Sequence, residues 1–511
     1  MIAPHYQDDS VTLHHGDCID VLRELPERSV DAVVTDPPYG IRFMGKAWDG
    51  ADIEERTARG RETNPMPKGV GGPQGGYRSR AAEAGRYDLS ANAAFGEWCS
   101  AWATECLRIL KPGGHLLAFG GSRTWHRLSS GIEDAGFEIR DSIAWLYGSG
   151  FPKSMDVSKA IASTELGYGG NSVAQRKATM GHNYVQSGRQ GNRDGAGRRD
   201  TGLAEHTLEL TESARAWQGW GTALKPAFEP IVVARKPLVG TVAANVLEHG
   251  TGALNIDACR VPTGDKLDGG STTRGQQMKD GWHRPWMDDP DMVAANAERS
   301  RASVARSEEL GRWPTNVVLD DHQAAELDRQ GGTSTSRVGK PRGAASGAGW
   351  GMTATGAEYA DEGGASRFFP VFRYEAKAPT SERPNADGVQ HPTVKPLDLM
   401  RWLVRLVTPA GAVVLEPFAG SGTTAEACVL EDRRCIAIER EAEYLPLIVS
   451  RLRKPVQQGL GDGSWALVRK ALTAVDQARQ APPNGDHNPA RASDCARLCG
   501  APGCASWGCL S

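Results

Sequence analysis

A glycine-containing loop joins an apolar strand pattern to a helical pattern near the C-terminus. Residues 412–416 read Ala-Val-Val-Leu-Glu, and the loop 417–423 leads into the helical pattern 423–430. Glycines in such a loop let the backbone approach a ligand without a Cβ in the way, and the ligand meets the free amides of the helix N-terminus. This segment therefore predicts one unit of an α/β sheet, with a ligand-binding loop at the carboxyl end of a strand.

The N-terminal block alternates strand and helix patterns in the same way. A helix, a Pro-Gly-Gly turn and an apolar strand follow one another there, which is how a parallel α/β sheet is built. The predicted elements are strands at 11–14, 31–35 and 115–119, with helices at 19–25 and 97–110. After residue 391 the pattern resumes with helices at 397–407, 423–430 and 442–453 and strands at 412–416 and 435–438.

Between these blocks the periodicity largely dissolves. Residues 150–385 are dominated by Gly, Ser, Arg and Asp, with apolar islands such as Glu229–Arg235. So long a stretch is improbable as a plain loop, and we interpret it as an inserted module. The predicted organisation is two halves of one domain at 1–150 and 386–457, an insertion at 151–385 and a Cys-rich tail at 458–511.

Net charge, hydropathy and cysteine distribution indicate the class of protein and its compartment. The net charge is −3 and the pI is about 6.5, so a nucleic-acid partner would require the positive charge to be concentrated on one face. No window long enough to span a bilayer is apolar throughout, which predicts a soluble cytoplasmic protein without a membrane partner. Scattered cysteines suit a reducing compartment; they are Cys18, Cys99, Cys106, Cys259, Cys428 and Cys435.

Two strand ends carry groups suited to chemistry. The strand at 31–35 runs into Asp36-Pro37-Pro38-Tyr39, in which the prolines stiffen a turn that presents the Asp36 carboxylate and the Pro37 carbonyl as acceptors. Tyr39 adds a flat ring for stacking. The strand after the glycine loop ends in Glu439, where doubly wound folds place a carboxylate on ribose hydroxyls.

The two motifs, in this order, resemble those of the β-class amino-DNA methyltransferases, the phage-type branch of the N-4/N-6 DNA methylase family. The resemblance covers residues 10–150 and 385–455 well and the middle only loosely. It implies a Rossmann-like, seven-stranded, mostly parallel α/β sheet, circularly permuted and carrying an inserted target-recognition region. It also implies S-adenosylmethionine as cofactor, double-stranded DNA as partner, and methyl transfer to adenine N6 of a flipped base.

The same resemblance assigns the site residues. Asp36, Pro37, Pro38 and Tyr39 are the catalytic residues. The cofactor residues are Asp17, His391, Thr393, Lys395, Glu416, Pro417, Phe418, Ala419, Gly420, Ser421, Gly422, Thr423 and Glu439. In this assignment Phe418 lines the pocket, the glycines admit the amino-acid end of the cofactor, and Asp17 contacts its adenine edge.

Two alternatives to adenine methylation stay open. The first alternative is methylation of cytosine N4. In this family, tetrapeptides that begin with Asp usually accompany adenine N6 and those that begin with Ser usually accompany cytosine N4, but the correlation is imperfect. The second alternative is a DNA-binding protein that retains the fold without turnover. Cytosine-C5 methylation is disfavoured, because it needs a thiolate that typically follows a proline, and no cysteine here does. Methylases of protein glutamine or ribosomal guanine carry an Asn-first motif after the cofactor loop, the reverse of the order here.

Several features are not resolved by the motifs. A homodimer and a cognate restriction enzyme are further partners that the sequence leaves undecided. A basic run could follow DNA phosphates or be a solvated loop; it comprises Arg176, Lys177, Arg189, Arg193, Arg198 and Arg199. Four cysteines near the C-terminus lack the usual Cys-x2-Cys knuckles of zinc sites, so we favour an unstructured tail over a metal site; they are Cys495, Cys499, Cys504 and Cys509.

Overall fold

The computed structural model describes residues 2–40, 90–148, 150, 154–166, 210–264, 288–335, 362–372 and 388–453. The strands are β1 (Tyr6–Gln7), β2 (Val11–His15), β3 (Val30–Thr35), β4 (Leu110–Phe119), β5 (Glu138–Leu146), β6 (Phe228–Arg235), β7 (Val317–Asp320), β8 (Ser334–Thr335), β9 (Glu362–Gly363), β10 (Val371–Phe372), β11 (Val413–Glu416) and β12 (Arg434–Glu439). The basic run and the four C-terminal cysteines lie outside the described residues.

The helices alternate with these strands in both blocks of the chain. They are α1 (Cys18–Glu24), α2 (Ser90–Ile109), α3 (Trp125–Asp134), α4 (Val157–Glu165), α5 (Glu212–Arg215), α6 (Val242–His249), α7 (Pro290–Leu310), α8 (Asp321–Gly331), α9 (Leu397–Val407), α10 (Thr423–Leu430) and α11 (Leu445–Leu452). Within the described segments, every helix is too short or too polar to cross a lipid bilayer.

One sheet organises the described part of the chain, in the order β1-β2-β12-β11-β3-β4-β6-β5-β7-β10. Neighbouring strands are parallel except at the β1–β2, β4–β6 and β5–β6 pairs. The predicted α/β, mostly parallel sheet is therefore confirmed. It is wider than the predicted seven strands, because β1 adds one edge and β7 and β10 extend the other.

The C-terminal strands lie inside the sheet, not at its edge. β11 pairs with β3 on one side and β12 on the other, and β12 pairs with β2. This parallel order brings the carboxyl ends of β2, β12, β11 and β3 to one edge. The two predicted motifs, at the ends of β3 and β11, are therefore neighbours in space.

Apolar side chains cover both faces of the sheet. Every residue of β3 is buried, as expected for a parallel strand between two helical layers. On one face α9, α10 and α11 pack against the sheet, and on the other α1 and α2 do so. α9 is strongly amphipathic and buries Leu399, Leu403 and Leu406. Both layers keep the carboxyl ends of β3 and β11 in fixed positions.

The segment between the two blocks contributes to this sheet. β6 lies between β4 and β5. Its Ile231 pairs with Phe119 of β4 on one side and with Ile143 of β5 on the other. β7 and β10 extend the same sheet. The sequence shows these strands only as short apolar islands, without flanking helical patterns to mark them.

Candidate active site

The predicted catalytic tetrapeptide lies at the carboxyl end of β3. Pro37 is buried, and Asp36, Pro38 and Tyr39 are partly exposed. The hydroxyl of Thr124 donates to the Tyr39 carbonyl at 2.8 Å. A Cβ added to Gly121 would lie 3.0 Å from the Tyr39 ring, so the backbone after β4 packs directly against that ring. The loop after β4 thus fixes both the backbone and the ring of Tyr39.

Four polar side chains meet at Asp36; we call Asp36, Tyr39, Glu229 and Lys395 the Lys395 cluster. The Tyr39 hydroxyl donates to Asp36 Oδ1 at 2.9 Å, and Lys395 Nζ lies 2.8 Å from Asp36 Oδ2. The same ammonium lies 3.0 Å from the Tyr39 hydroxyl and 3.3 Å from Glu229 Oε2. The cluster therefore joins the catalytic motif to β6 and to the stretch before α9.

Burial and mutual charge set the protonation of this cluster. Burial favours the neutral amine of Lys395, but the carboxylates of Asp36 and Glu229 outweigh it and raise the pKa of Lys395 above its usual value. Burial also raises the pKa of Glu229, against the opposing effect of Lys395. Burial, Asp36 and Glu229 raise the pKa of Tyr39. Near neutral pH the lysine is a cation and the tyrosine is a neutral hydrogen-bond donor.

The predicted cofactor loop connects β11 to α10 and contains two glycines in the left-handed region. Gly420 has φ +52° and Gly422, directly before α10, has φ +78°. A Cβ on Gly420 would lie 3.2 Å from His391 Nε2, and one on Gly422 would lie 3.0 Å from Ile448 Cγ2. A residue with a side chain would be strained at either position and would also press on a neighbour.

Glu416 ties the predicted cofactor loop to β3. Its side chain is 2% exposed and accepts hydrogen bonds from the hydroxyls of Thr35 and Thr424, both at 2.5 Å. It also accepts the Phe418 N–H at 3.0 Å. Burial raises the pKa of Glu416 to about 8, although these three donors oppose the shift. Glu416 thus orients the loop from beneath, since its oxygens bind protein groups.

Replacing Glu416 with glutamine is expected to change how stability depends on pH. A raised pKa means that the folded state holds a proton that the unfolded state has released. The free energy of unfolding of the wild type should therefore fall as pH rises from 4.5 to about 8. Glutamine stays neutral, so the variant should gain roughly a few kcal/mol relative to the wild type across that window. Urea unfolding at each pH measures this, and parallel curves would show that Glu416 is ionised throughout.

Two more predicted carboxylates lie at adjoining strand ends. Glu439 Oε2 accepts the Gly420 N–H at 2.7 Å and its Oε1 accepts the Glu441 N–H at 2.8 Å. Burial raises the pKa of Glu439 to about 7. Asp17 follows β2, whose His15 pairs with Glu439, and its side chain caps α1 through the Ile19 N–H at 2.9 Å. Both carboxylates lie at the same edge of the sheet as the loop.

The stretch before α9 packs against the loop from the other side. His391 contacts the Tyr444 ring edge-on, with centroids 4.6 Å apart, and its Nδ1 is hydrogen-bonded to the Thr393 carbonyl. His391 Nε2 faces Gly420. Two residues beyond Thr393, Lys395 reaches the catalytic motif. This short stretch therefore contacts both halves of the site.

The remaining predicted loop residues are placed by packing. The ring of Phe418 lies 5.5 Å, centroid to centroid, from both Trp98 and Trp102 of α2. Pro417 and Ala419 are buried, and the hydroxyls of Ser421 and Thr423 are 3.0 Å apart. The Ala419 N–H donates to the Ile438 carbonyl at 2.8 Å, which joins the loop to β12. Among the described residues no cluster of metal-ligating side chains occurs.

Comparison with known proteins identifies the family. A family model described as DNA methylase matches residues 30–450. Type II methyltransferase M.HindIII of Haemophilus influenzae is 22% identical over 448 residues, which cover 86% of this chain and 94% of the relative. Type II methyltransferase M2.MboI of Moraxella bovis is 38% identical over 86 residues, 17% of this chain and 31% of the relative.

Solved structures that the comparison matches to this chain include DNA methyltransferases. The crystal structure of the M1.HpyAVI–SAM complex is 13% identical, with a TM-score of 0.32, covering 87% of this chain and 99% of the other. The PvuII DNA methyltransferase (cytosine-N4-specific) is 13% identical, with a TM-score of 0.36, covering 89% and 91%. The family model, which spans most of the chain and both motifs, decides the identification: the chain belongs to the N6/N4 DNA methylase family.

Proposed function

We propose that this protein transfers a methyl group from S-adenosylmethionine to the N6 amino group of adenine in a specific duplex DNA sequence. The observation that carries the proposal is the junction of the two motifs. The Thr35 hydroxyl, one residue before Asp36, is hydrogen-bonded to Glu416 at the base of the cofactor loop. The group that holds the amine and the loop that holds the methyl donor are thus positioned by adjacent strands.

The chemistry of the amine explains the need for Asp36. The lone pair of an exocyclic amino group is delocalised into the ring, so acceptors must hold its N–H bonds and favour a tetrahedral nitrogen. Each oxygen of Asp36 already accepts one bond, from the Tyr39 hydroxyl or from Lys395. Each carboxylate oxygen has a second lone pair, so Asp36 can still accept an N–H of the base. The new C–N bond would replace the bond between the methyl carbon and sulfur, and the nitrogen would release one proton to the solvent.

The loop residues fit an adenosine-containing cofactor. The two glycines leave the loop without Cβ atoms where the chain turns at the N-terminus of α10. Glu439 and Asp17 supply carboxylates at neighbouring strand ends, suited to ribose hydroxyls and to an adenine edge. When bound, S-adenosylmethionine supplies an electrophilic methyl group on sulfur. The assignment of individual residues to the cofactor stays a prediction.

The choice of adenine rests on the Asp-first tetrapeptide alone. Cytosine N4 is the second candidate, since the same acceptors serve its amino group. A non-catalytic DNA-binding protein is the third, and the complete Lys395 cluster and the intact loop glycines weigh against it. Target recognition by the segment 151–385 also stays a prediction, and a homodimer and a paired restriction enzyme stay undecided.

Identification of the methylated nucleoside tests the proposal. Wild-type protein is incubated with unmethylated DNA and labelled S-adenosylmethionine, and the DNA is digested to nucleosides and analysed by mass, beside the Asp36→Ala variant. We expect N6-methyladenine that is absent with the variant. N4-methylcytosine would overturn the base assignment only. If the wild-type protein binds the cofactor but transfers no label to DNA, the result would support the non-catalytic alternative.

A further inference from the structure

Glu229 is the one member of the Lys395 cluster that is not among the site residues predicted from the sequence. It lies near the start of β6, opposite Trp145 of β5, and its side chain is only 21% exposed. Its carboxylate lies 3.3 Å from Lys395 Nζ and 3.4 Å from the Tyr39 hydroxyl. A carboxylate removed this far from water needs a partner, and the lysine that it uses also binds Asp36.

The shared lysine changes the charge that faces the amine. Asp36 and Lys395 alone would form a neutral pair, in which the ammonium compensates the whole charge of the catalytic carboxylate. With ionised Glu229, two carboxylates share the ammonium of Lys395, whose side chain is 11% exposed, and the cluster has a net charge of −1. Tyr39 is neutral and bridges the two carboxylates.

We propose that Glu229 is a positioning residue of the methyl-transfer site, which shares Lys395 with Asp36 and so keeps the site negatively charged towards the target amine. The proposal rests on the proposed function. During transfer, positive charge leaves the sulfur and develops on the amino nitrogen. A fixed negative charge beside that nitrogen therefore stabilises the transition state more than the bound substrates, which raises kcat and leaves binding little changed.

The surroundings of Glu229 give the proposal a pH signature. The groups that act on its charge are Lys395, Asp36 and Tyr39, and Tyr147 after β5 acts in turn on Tyr39. Burial raises the pKa of Glu229, so it gains a proton at a higher pH than an ordinary glutamate. We expect kcat, measured at saturating cofactor, to fall as pH decreases through that raised pKa.

The test compares Glu229→Gln with the same substitution of a glutamate on the neighbouring strand β5, which forms an ion pair with the other end of β6. Glu138 of β5 pairs with Arg235 of β6 at 2.6 Å and contacts neither motif, so Glu138→Gln also removes a carboxylate from an ion pair on β6. We expect Glu229→Gln to lower kcat about tenfold to a hundredfold, with KM for DNA and cofactor within about twofold, and to lose the acid-side inflection. Glu138→Gln should keep the wild-type kcat and profile.

A conservative variant separates charge from folding. Glu229→Asp keeps the negative charge at a slightly greater distance from Lys395. This variant should retain the acid-side inflection and have a kcat between those of Glu229→Gln and the wild type. It keeps the proposal testable if Glu229→Gln fails to bind cofactor. A Glu229→Gln enzyme with wild-type kcat and pH profile would overturn the proposal, as would Glu229→Asp without the inflection. Failure of the wild type to methylate DNA would instead refute the proposed function.

Discussion

Asp36→Asn is expected to lower kcat about a thousandfold while leaving cofactor affinity nearly unchanged. Asparagine has the same shape, but it has no charge, and its amide can direct N–H donors at Lys395 Nζ or at the target amine. The bond from Lys395 to Oδ2 and the acceptors for the base are then weakened together. Single-turnover methyl transfer with saturating cofactor measures the effect, and calorimetric titration of the cofactor checks binding.

A matched carboxylate at the other end of β3 controls for loss of a buried ion pair. Asp31 Oδ1 lies 2.6 Å from Lys111 Nζ, and its Oδ2 accepts the Val413 N–H at 2.7 Å. Asp31→Asn should lower the free energy of unfolding by about 1–3 kcal/mol and preserve kcat. An equal loss of kcat in Asp36→Asn and Asp31→Asn would mean that distortion of β3, and not removal of the Asp36 carboxylate, lowers kcat.

The second large effect is expected from Gly422→Ala, which should weaken cofactor binding about tenfold or more. The left-handed backbone at φ +78° costs an L-residue about 1–2 kcal/mol. The added methyl would also lie 3.0 Å from Ile448 Cγ2 and 3.3 Å from Ile448 Cα, so the loop or α11 must move. Movement of the loop displaces the N-terminal amides of α10 from the cofactor. Equilibrium titration with S-adenosylmethionine measures the change.

Gly411 supplies the control for backbone strain alone. It has the same φ of +78° in the turn before β11, and a Cβ there would meet no atom within 4 Å. Gly411→Ala should lose about 1 kcal/mol of stability and retain cofactor affinity. If it weakened binding as much as Gly422→Ala, backbone strain on either side of β11 would explain both results, and the packing of the loop would not be the cause.

The elements next to the two motifs could be predicted from the sequence because their signals are local. β3 is a continuous apolar run, α9 has a clear apolar face, and the glycines of the loop mark the turn between β11 and α10. One detail differs at the start of β4. The sequence predicts that residues 111–114 form a turn that only stops the preceding helix. The helix does end there, but the strand already begins at Leu110 and contains the turn, with Gly113 at φ +77°.

The contribution of the middle segment was not predictable in the same way. β6 reads as an isolated apolar island, and only pairing with β4 and β5 gives it a place in the sheet. Glu229 is not among the predicted site residues, and it lies 190 residues from Tyr39 along the chain. Lys395 was predicted as a cofactor residue, and the structure places its ammonium on Asp36. Such contacts depend on tertiary packing, which periodicity and spacing do not encode.

The position of β11 and β12 between β2 and β3 has a consequence for synthesis of the protein. The Thr35–Glu416 bond spans 381 residues, so the catalytic motif leaves the ribosome long before its partner strand exists. At roughly 5–20 residues per second, synthesis of these 381 residues takes about 20 to 75 seconds, and the sheet can close only afterwards. A prematurely terminated chain would expose unpaired edges of β2 and β3 and be prone to aggregation. Methylation activity should therefore arise only in chains completed through residue 439.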